Sequence, residues 1–193
     1  MRKDREKWDE RYGTGERPHD GAPSAFLKRW LPYLPRGQAL DVATGLGRNA
    51  VLLARSGYRV DAVDISPVGL DAAKRRAARR GVRVRWIEAD LDVWRPPAAR
   101  YAVVMMAFYL NRNALPRLMQ AVKPGGVMMI ETHLHRRTGA PSRSVYRLRP
   151  GDLRRQFGAW EILELEEGTF ADGGGWELGR IAARRPPSRS VGR

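Results

Sequence analysis

Short apolar runs alternate with helix-forming stretches along most of this 193-residue chain. The stretches between the runs begin or end at typical helix boundaries, such as Ser66-Pro67 at a start and Gly81 at a stop. Alternation of this kind favours a parallel sheet that is covered by helices on both faces. The five predicted strands lie at 38–43, 58–64, 82–87, 101–107 and 127–131.

The last third of the chain has a different pattern. Two further strands, 160–166 and 176–183, are separated by a glycine-rich loop and predict an antiparallel pair at one edge of the sheet. A helix is predicted near 24–34, behind an irregular polar arm. The predicted fold class is therefore α/β, with a doubly wound, mostly parallel seven-stranded sheet and an antiparallel C-terminal strand pair.

Length and composition predict one domain over residues 1–185, with 1–34 covering the ligand site and 186–193 forming a disordered tail. There is no apolar run long enough to span a membrane and no secretory signal, so we expect a cytoplasmic protein, monomeric or homodimeric. The absence of cysteine excludes disulfides, a thiol nucleophile and cysteine-ligated metals, and we predict no metal site.

The net charge of +15 raises the question of an anionic partner. Arginine supplies 31 of the 36 basic residues, a bias that the codon usage of a GC-rich genome would produce throughout its proteins. Residues 74–85 carry seven positive charges and no negative one, which favours a solvated face. Residues 136–155 hold seven arginines and would cover the substrate, so an anionic small-molecule substrate stays open, as does a nucleic acid.

Ligands of doubly wound sheets bind beyond the carboxyl ends of the strands. The first strand leads into Asp41-Val-Ala-Thr-Gly-Leu-Gly47, a turn whose glycines bring the backbone close to a ligand. The helix that follows presents free N–H groups to an anionic group. Asp64 is placed to accept two ribose hydroxyls, and Asp90 to accept from an adenine amino group.

A dinucleotide site is the first alternative, because Gly45-x-Gly47-x-x-Ala50 and Asp64 fit its fingerprint. Three features disfavour a nicotinamide dehydrogenase. Asp41 precedes the glycines, where an ammonium or sulfonium ligand would use a carboxylate. The glycine strand follows an N-terminal helix, and the chain has no room for a second, catalytic domain.

Four motifs in order resemble those of class I S-adenosylmethionine-dependent methyltransferases over residues 20–185. They are Asp41-x-Ala-x-Gly-x-Gly47, Val63-Asp-Ile-Ser-Pro67, Glu88-Ala-Asp-Leu91 and Val122-Lys-Pro-Gly-Gly126. Gly47-Arg-Asn49 and Trp8-Asp-Glu-Arg-Tyr12 resemble the tellurite-resistance branch, a neighbour of the thiopurine methyltransferases. The resemblance implies a Rossmann-like fold, S-adenosyl-L-methionine as cofactor and methyl transfer to a small molecule.

The resemblance also implies where the cofactor binds. The Asp41 loop would face its amino acid portion, Asp64 its ribose, Asp90 and Leu91 its adenine, and Ala107 the region of the transferred methyl. Trp8 and Tyr12, four residues apart, would fold over the cofactor as a lid. The full set of predicted cofactor contacts is Asp41, Ala43, Thr44, Gly45, Gly47, Asn49, Asp64, Ile65, Asp90, Leu91, Ala107, Trp8 and Tyr12.

The catalytic residues are harder to predict, because in-line methyl transfer mainly needs alignment and exclusion of water. The candidates follow the fourth and fifth strands, and His133 would act as a base if the acceptor arrives protonated. A sulfur, selenium or tellurium centre would need no base. The predicted catalytic residues are His133, Tyr109 and Arg112, with Asn111, His135 and Arg136 also at the mouth.

The sequence departs from the family pattern at three places. Ala43 replaces a loop glycine and Ala102 an acidic residue, and residues 169–175 lack the histidine expected of tellurite-type members. Two other function classes stay open. An RNA or protein methyltransferase is one, although no Asn-Pro-Pro-Tyr type sequence follows the fourth strand. A protein that binds the cofactor without turnover is the other.

Overall fold

The computed structural model describes residues 2–14, 21–134, 147–171 and 175–187. Within these ranges helices and strands alternate from β1 to β3, β4 follows β3 directly, and α5 separates β4 from β5. The helices are α1 (Arg2–Gly13), α2 (Ala25–Trp30), α3 (Arg48–Arg55), α4 (Pro67–Arg79), α5 (Leu115–Ala121) and α6 (Asp152–Gln156). The strands are β1 (Gln38–Val42), β2 (Arg59–Asp64), β3 (Arg85–Glu88), β4 (Tyr101–Ala107), β5 (Val122–His133), β6 (Glu161–Thr169) and β7 (Glu177–Arg184).

The strands form one seven-stranded sheet in the order β3-β2-β1-β4-β5-β7-β6. Neighbouring strands from β3 to β5 run parallel, whereas β7 is antiparallel to both β5 and β6. The predicted fold class, including the antiparallel C-terminal pair, is confirmed. The order reverses between β1 and β4, and this switch point opens a crevice at the carboxyl ends of the strands.

The sheet separates two apolar cores because successive residues of a strand point to opposite faces. Met106 of β4 packs on one face with Leu118 of α5. Val103 of the same strand packs on the other face with Phe26 of α2 and Leu53 of α3. Burial on both sides explains why β4 is almost wholly apolar.

The α4 helix begins as predicted. The hydroxyl of Ser66 accepts a hydrogen bond from the backbone N–H of Gly69 at 3.0 Å, and Pro67 occupies the first helical position. This cap holds the N-terminus of α4 at the carboxyl end of β2, beside the crevice.

Three predicted details were wrong. The irregular arm is the helix α1, which Arg5 and Asp9 stabilise at i,i+4 and which packs on α4. β3 begins at Arg85 instead of residue 82, because its register with β2 begins only at the pair Asp61 and Arg85. β5 begins at Val122 instead of residue 127, with an irregularity in its pairing with β4 near this start.

Some predictions fall outside the described residues, namely the tail at 188–193 and the loop positions 172–174. Among the helices that the structure describes, none is long and apolar enough to cross a lipid bilayer. The described residues also contain no group of three histidine, aspartate or glutamate side chains that could hold a metal ion.

Candidate functional site

A cavity of about 290 Å³ lies at the carboxyl ends of the parallel strands, at the switch point of the sheet. The loops after β1, β2, β3 and β4 form its walls, and α1 lies across it. Its lining residues are Asp4, Lys7, Trp8, Tyr12, Gly21, Ala43, Thr44, Gly45, Leu46, Arg48, Asn49, Asp64, Ile65, Asp90, Leu91, Asp92, Ala107, Phe108, Tyr109, Leu110 and Asn111.

The glycine loop after β1 needs left-handed backbone at three positions. Gly45 and Gly47 have φ values of 53° and 72°, and Ala43 adopts φ 53° although it is not a glycine. A Cβ on Gly47 would also lie 2.7 Å from that of Ala73 on α4. Gly47 therefore lets α3 and α4 pack closely, whereas Gly45 faces the cavity.

Asp41 is buried beneath this loop and does not line the cavity. Its carboxylate accepts hydrogen bonds from the Thr44 hydroxyl and from the backbone N–H of Ala50, the latter at 3.0 Å. Burial raises the pKa of Asp41 to about 6, against the lowering effect of these hydrogen bonds. Asp41 therefore holds the glycine loop and the first turn of α3 in place from the side away from the cavity. Gly47 is also absent from the residues that line the cavity.

Asp64 ends β2 and faces the cavity. One carboxylate oxygen accepts from the backbone N–H of Gly45 at 2.7 Å, and the other from that of Ser66 at 2.9 Å. Burial raises the pKa of Asp64, and the backbone donors act in the opposite direction. Each carboxylate oxygen has a second lone pair, so the fixed carboxylate can still accept from ligand hydroxyls.

The wall after β3 carries Asp90, Leu91 and Asp92. The Asp90 carboxylate accepts from the backbone N–H of Asp92 at 2.8 Å. Asn111, from the loop after β4, donates to the Asp92 carboxylate at 2.7 Å. These bonds join the two loops across one end of the cavity, opposite Ile65.

The α1 helix covers the cavity with two aromatic side chains. The rings of Trp8 and Tyr12 stack with centroids 5.6 Å apart. The Tyr12 hydroxyl would lie 2.7 Å from a Cβ on Gly45, and its ring 2.9 Å from a Cβ on Gly69. Two glycines, one in the loop after β1 and one in the first turns of α4, thus make room for the tyrosine.

Polar contacts at the edges of α1 fix its position. Asp9 accepts from the hydroxyl of Ser66 at 2.5 Å, and Arg5 pairs with Glu88 at 2.6 Å. Ser66 thereby joins α1 to the cap of α4. The sequence pattern showed Ser66 only as a helix cap, and its role in docking α1 has no local signal.

The predicted catalytic residues lie in different surroundings. Tyr109 lines the cavity, and its hydroxyl accepts from Asn111 at 3.1 Å. Arg112 does not line it, and donates to the Arg147 carbonyl at 2.8 Å and to the Asp152 carboxylate at 3.1 Å. The positions of His135 and Arg136 lie outside the described residues.

His133, at the end of β5, also lies outside the lining of the cavity. Its ring is 5.5 Å from that of Phe108 and 5.4 Å from that of Trp176. Burial, and secondarily the positive charge of Arg147, lower the pKa of His133 below its usual value. The imidazole is therefore neutral near pH 7 and able to accept a proton.

Phe108 and Arg48 are among the lining residues that the sequence analysis missed. Phe108 has a φ of 55°, which is uncommon for an aromatic residue, and its N–H donates to the Glu131 carbonyl at 2.6 Å. The guanidinium of Arg48 lies 5.1 Å from the centre of the Phe108 ring. Strained backbone at the end of β4 is visible only in the structure, and strain of this kind clusters at functional sites.

A family of proteins described as "Methyltransferase domain" matches residues 39–126, the stretch from β1 into β5 that builds most of the cavity. The order of the strands, the glycine loop and the two carboxylates Asp64 and Asp90 agree with this match. The fold is that of the class I S-adenosylmethionine-dependent methyltransferases. The comparisons do not single out the tellurite-resistance branch within this class.

Curated relatives of this chain are named for different acceptors. It is 35% identical over 118 residues to the ribosomal protein L11 methyltransferase of Symbiobacterium thermophilum, covering 60% of this chain and 38% of the relative. It is 32% identical over 143 residues to the trans-aconitate 2-methyltransferase of an Azoarcus species, covering 70% of this chain and 54% of the relative. The chain thus spans about half, or less, of the length of these relatives.

A solved structure titled "Conversion of a Disulfide Bond into a Thioacetal Group during Echinomycin Biosynthesis" has the same fold. It superimposes with a TM-score of 0.73 over 96% of this chain and 94% of its own, at 23% identity. At that identity the likeness concerns the fold alone.

The cavity fits S-adenosylmethionine. The buried, backbone-held carboxylate of Asp64 suits a pair of ribose hydroxyls, and the positive-φ backbone at Gly45 leaves room for a ligand close to the main chain. Ile65 and Leu91 line the cavity together with Asp90, and their apolar side chains suit the faces of a flat base.

Proposed function

We propose that this protein is a class I methyltransferase that transfers the methyl group of S-adenosylmethionine to a small-molecule acceptor. The observation that carries the proposal is the cavity itself. It lies where the sheet switches order, holds the Asp64 carboxylate against the glycine loop, and is roofed by Trp8 and Tyr12 of α1. A roofed cavity suits an acceptor that enters it whole.

The lining residues divide between the parts of the cofactor. Asp64 binds the ribose hydroxyls, while Ile65, Asp90 and Leu91 hold the adenine. The amino acid portion lies along Ala43, Thr44, Gly45 and Asn49, with Ala107 beside the sulfonium. Asp41 and Gly47 act indirectly by shaping the loop, since neither lines the cavity.

When bound, the cofactor would supply an electrophilic methyl group on a sulfonium sulfur. A lone pair of the acceptor would attack that methyl carbon in line with the S–CH3 bond, whose electron pair would leave with the sulfur. The protein's part is alignment and exclusion of water. The loop after β4, with Phe108 and Tyr109, positions the acceptor, and α1 closes the cofactor side. The neutral His133 accepts the proton of a hydroxyl acceptor, whereas a sulfur, selenium or tellurium centre requires no base.

The acceptor is either such a soft centre or a hydroxyl. The likeness of the glycine loop and of the α1 motif to the tellurite-resistance branch supports the soft centre. The packing of the His133 ring against Phe108, which lines the cavity, supports a hydroxyl. Turnover measured on selenite, a small thiol and a phenol in parallel separates the two.

Calorimetric titration with S-adenosylhomocysteine, S-adenosylmethionine and NAD tests the cofactor assignment. We expect micromolar binding of the first two and none of NAD. Asp64→Ala abolishes this binding, while Asp71→Ala, which removes an exposed carboxylate on α4, leaves it unchanged. A folded protein that binds neither sulfur compound would refute the proposal.

A macromolecular acceptor is the second candidate. One relative is named for ribosomal protein L11, and α4 and the segment after it carry a row of basic residues, among them the exposed Arg75, Arg79 and Arg80. RNA binding that weakens steeply with salt and is lost in Arg79→Gln/Arg80→Gln would favour it. Unchanged methyl transfer in that variant would favour the small molecule.

A further inference from the structure

An aromatic wall leads from the cofactor cavity toward the surface. Phe108 lines the cavity, His133 packs against it at 5.5 Å, and Trp176 packs against His133 at 5.4 Å. The interplanar angles are 54° and 71°, so the rings meet face to edge. Trp176 is 42% exposed and carries the aromatic surface out to solvent.

An arginine lies at each end of this wall. The guanidinium of Arg48 is 5.1 Å from the Phe108 ring at the cavity end, and Arg48 donates to the Ala22 carbonyl at 2.8 Å. The guanidinium of Arg147 is 5.9 Å from the Trp176 ring at the outer end, and it donates to the Leu134 carbonyl at 3.2 Å. The positive charge of Arg147 also lies close enough to His133 to lower the pKa of its imidazole, so this charge acts along the wall.

The inner end of the wall is rigid. The N–H of Phe108 donates to the Glu131 carbonyl at 2.6 Å, which holds the residue at its positive φ. The Glu131 carboxylate is itself buried and held by Arg180 at 2.8 Å and by the Ser24 hydroxyl at 2.5 Å. A side chain supported in this way can align an acceptor without first being ordered.

We propose that Phe108, His133 and Trp176, flanked by Arg48 and Arg147, form the acceptor subsite, and that it takes a planar, unsaturated anion. This inference rests on the proposed methyl transfer and specifies its substrate class. Aromatic edges and faces favour a flat π system over a saturated ring of the same size. The guanidinium group of Arg147 selects a carboxylate or phenolate over a neutral or cationic group.

The negative charge of such an acceptor and the positive charge of the sulfonium cancel in the reaction. An oxygen lone pair of the anion forms the new O–CH3 bond, the S–CH3 bond breaks, and its electron pair passes to the sulfur. The negative acceptor and the positive sulfonium give a neutral methyl ester or ether and S-adenosylhomocysteine. No proton is transferred when the acceptor arrives ionised.

Calorimetry on the protein saturated with S-adenosylhomocysteine tests the subsite. The probes are 2-naphthoate, its saturated analogue decahydro-2-naphthoate, and the cation 2-naphthylmethylammonium. We expect 2-naphthoate to bind, the saturated anion to bind about fivefold more weakly, and the cation not to bind.

Two variants and two matched controls locate the site. Arg147→Gln weakens 2-naphthoate binding about tenfold, and Trp176→Leu about fivefold. Arg79→Gln and Tyr33→Leu, which change exposed residues elsewhere, leave it unchanged. S-adenosylhomocysteine binds all four variants as it binds the parent protein, which shows that they are folded.

The outcomes separate this inference from the proposed function. Normal S-adenosylhomocysteine binding with no affinity for 2-naphthoate, or with equal affinity in Arg147→Gln, Trp176→Leu and the parent, would overturn the subsite alone. Failure of the parent protein to bind S-adenosylhomocysteine would overturn both.

Discussion

The buried carboxylate of Asp41 predicts an unusual dependence of stability on pH. Only 1% of the residue is exposed, and burial raises its pKa from 3.8 to about 6 in the folded protein. The folded state therefore binds this proton more tightly than the unfolded chain does. The stabilising effect is complete below about pH 4 and is lost as the pH rises through about 6.

The size of the effect follows from the two pKa values. A difference of about 2.2 between 3.8 and about 6 corresponds to about 3 kcal/mol, at about 1.36 kcal/mol per pKa unit. Asp41→Asn removes this titration. Its amide oxygen can still accept from the Thr44 hydroxyl and the Ala50 N–H, so the loop geometry is retained.

Urea unfolding followed by tryptophan fluorescence from pH 4 to pH 8 measures the effect. We expect the free energy of unfolding of the parent protein, relative to Asp41→Asn, to fall by about 3 kcal/mol over this range. Comparison with the variant cancels the titration of the other carboxylates. Parallel pH profiles for the two proteins would refute the reasoning, because they would show that burial at Asp41 does not perturb its ionisation.

Three further changes have defined outcomes. Gly47→Ala should lower the free energy of unfolding by about 2 kcal/mol or more in urea titration, since it adds a methyl group 2.7 Å from the Cβ of Ala73 at a positive φ. Glu131→Leu should cost about 3–5 kcal/mol by leaving Arg180 buried without its carboxylate, and Glu131→Leu/Arg180→Met should regain most of that stability. In calorimetry, Tyr12→Ala should weaken S-adenosylhomocysteine binding about tenfold, whereas Tyr12→Phe keeps the ring and most of the affinity. Equal thermal stability of the single and double Glu131 variants, or equal affinity of the two Tyr12 variants, would contradict the corresponding interpretation.

The sheet was predictable because each strand carries its own signal. β4 is a run of apolar residues between polar turns, and Ser66 and Pro67 form a typical helix start at α4. The helix α1 gave no such signal, since most of its residues are charged. Its order comes from tertiary contacts, chiefly the insertion of Tyr12 between two glycines, and a local pattern cannot contain them.

The residues of the candidate site likewise include some that the sequence predicts and others that only the structure reveals. Asp64 and Asp90 directly follow strands that the sequence delimits, so their place at the cavity was predictable. Asp41 was placed in the right loop but on the wrong side of it, because a spacing does not say which way a side chain points. Phe108 and Trp176 meet around His133 only after β4, β5 and β7 have paired, so their common role has no sequence signal.

The buried ion pair between Glu131 and Arg180 joins the two halves of the site. The Glu131 carbonyl accepts from Phe108, which connects it to the aromatic wall. Its carboxylate accepts from Ser24, whose N–H donates to the side chain of the cavity residue Asn49 at 2.9 Å. A desolvated pair of this kind adds little net stability over an apolar pair of similar volume. We infer that its value lies in geometry, since it fixes the distance between the glycine loop that holds the cofactor and the wall that aligns the acceptor. In-line methyl transfer depends on that distance. A Glu131→Leu/Arg180→Met variant that is as stable as the parent protein but transfers the methyl group slowly would therefore support this geometric role of the ion pair.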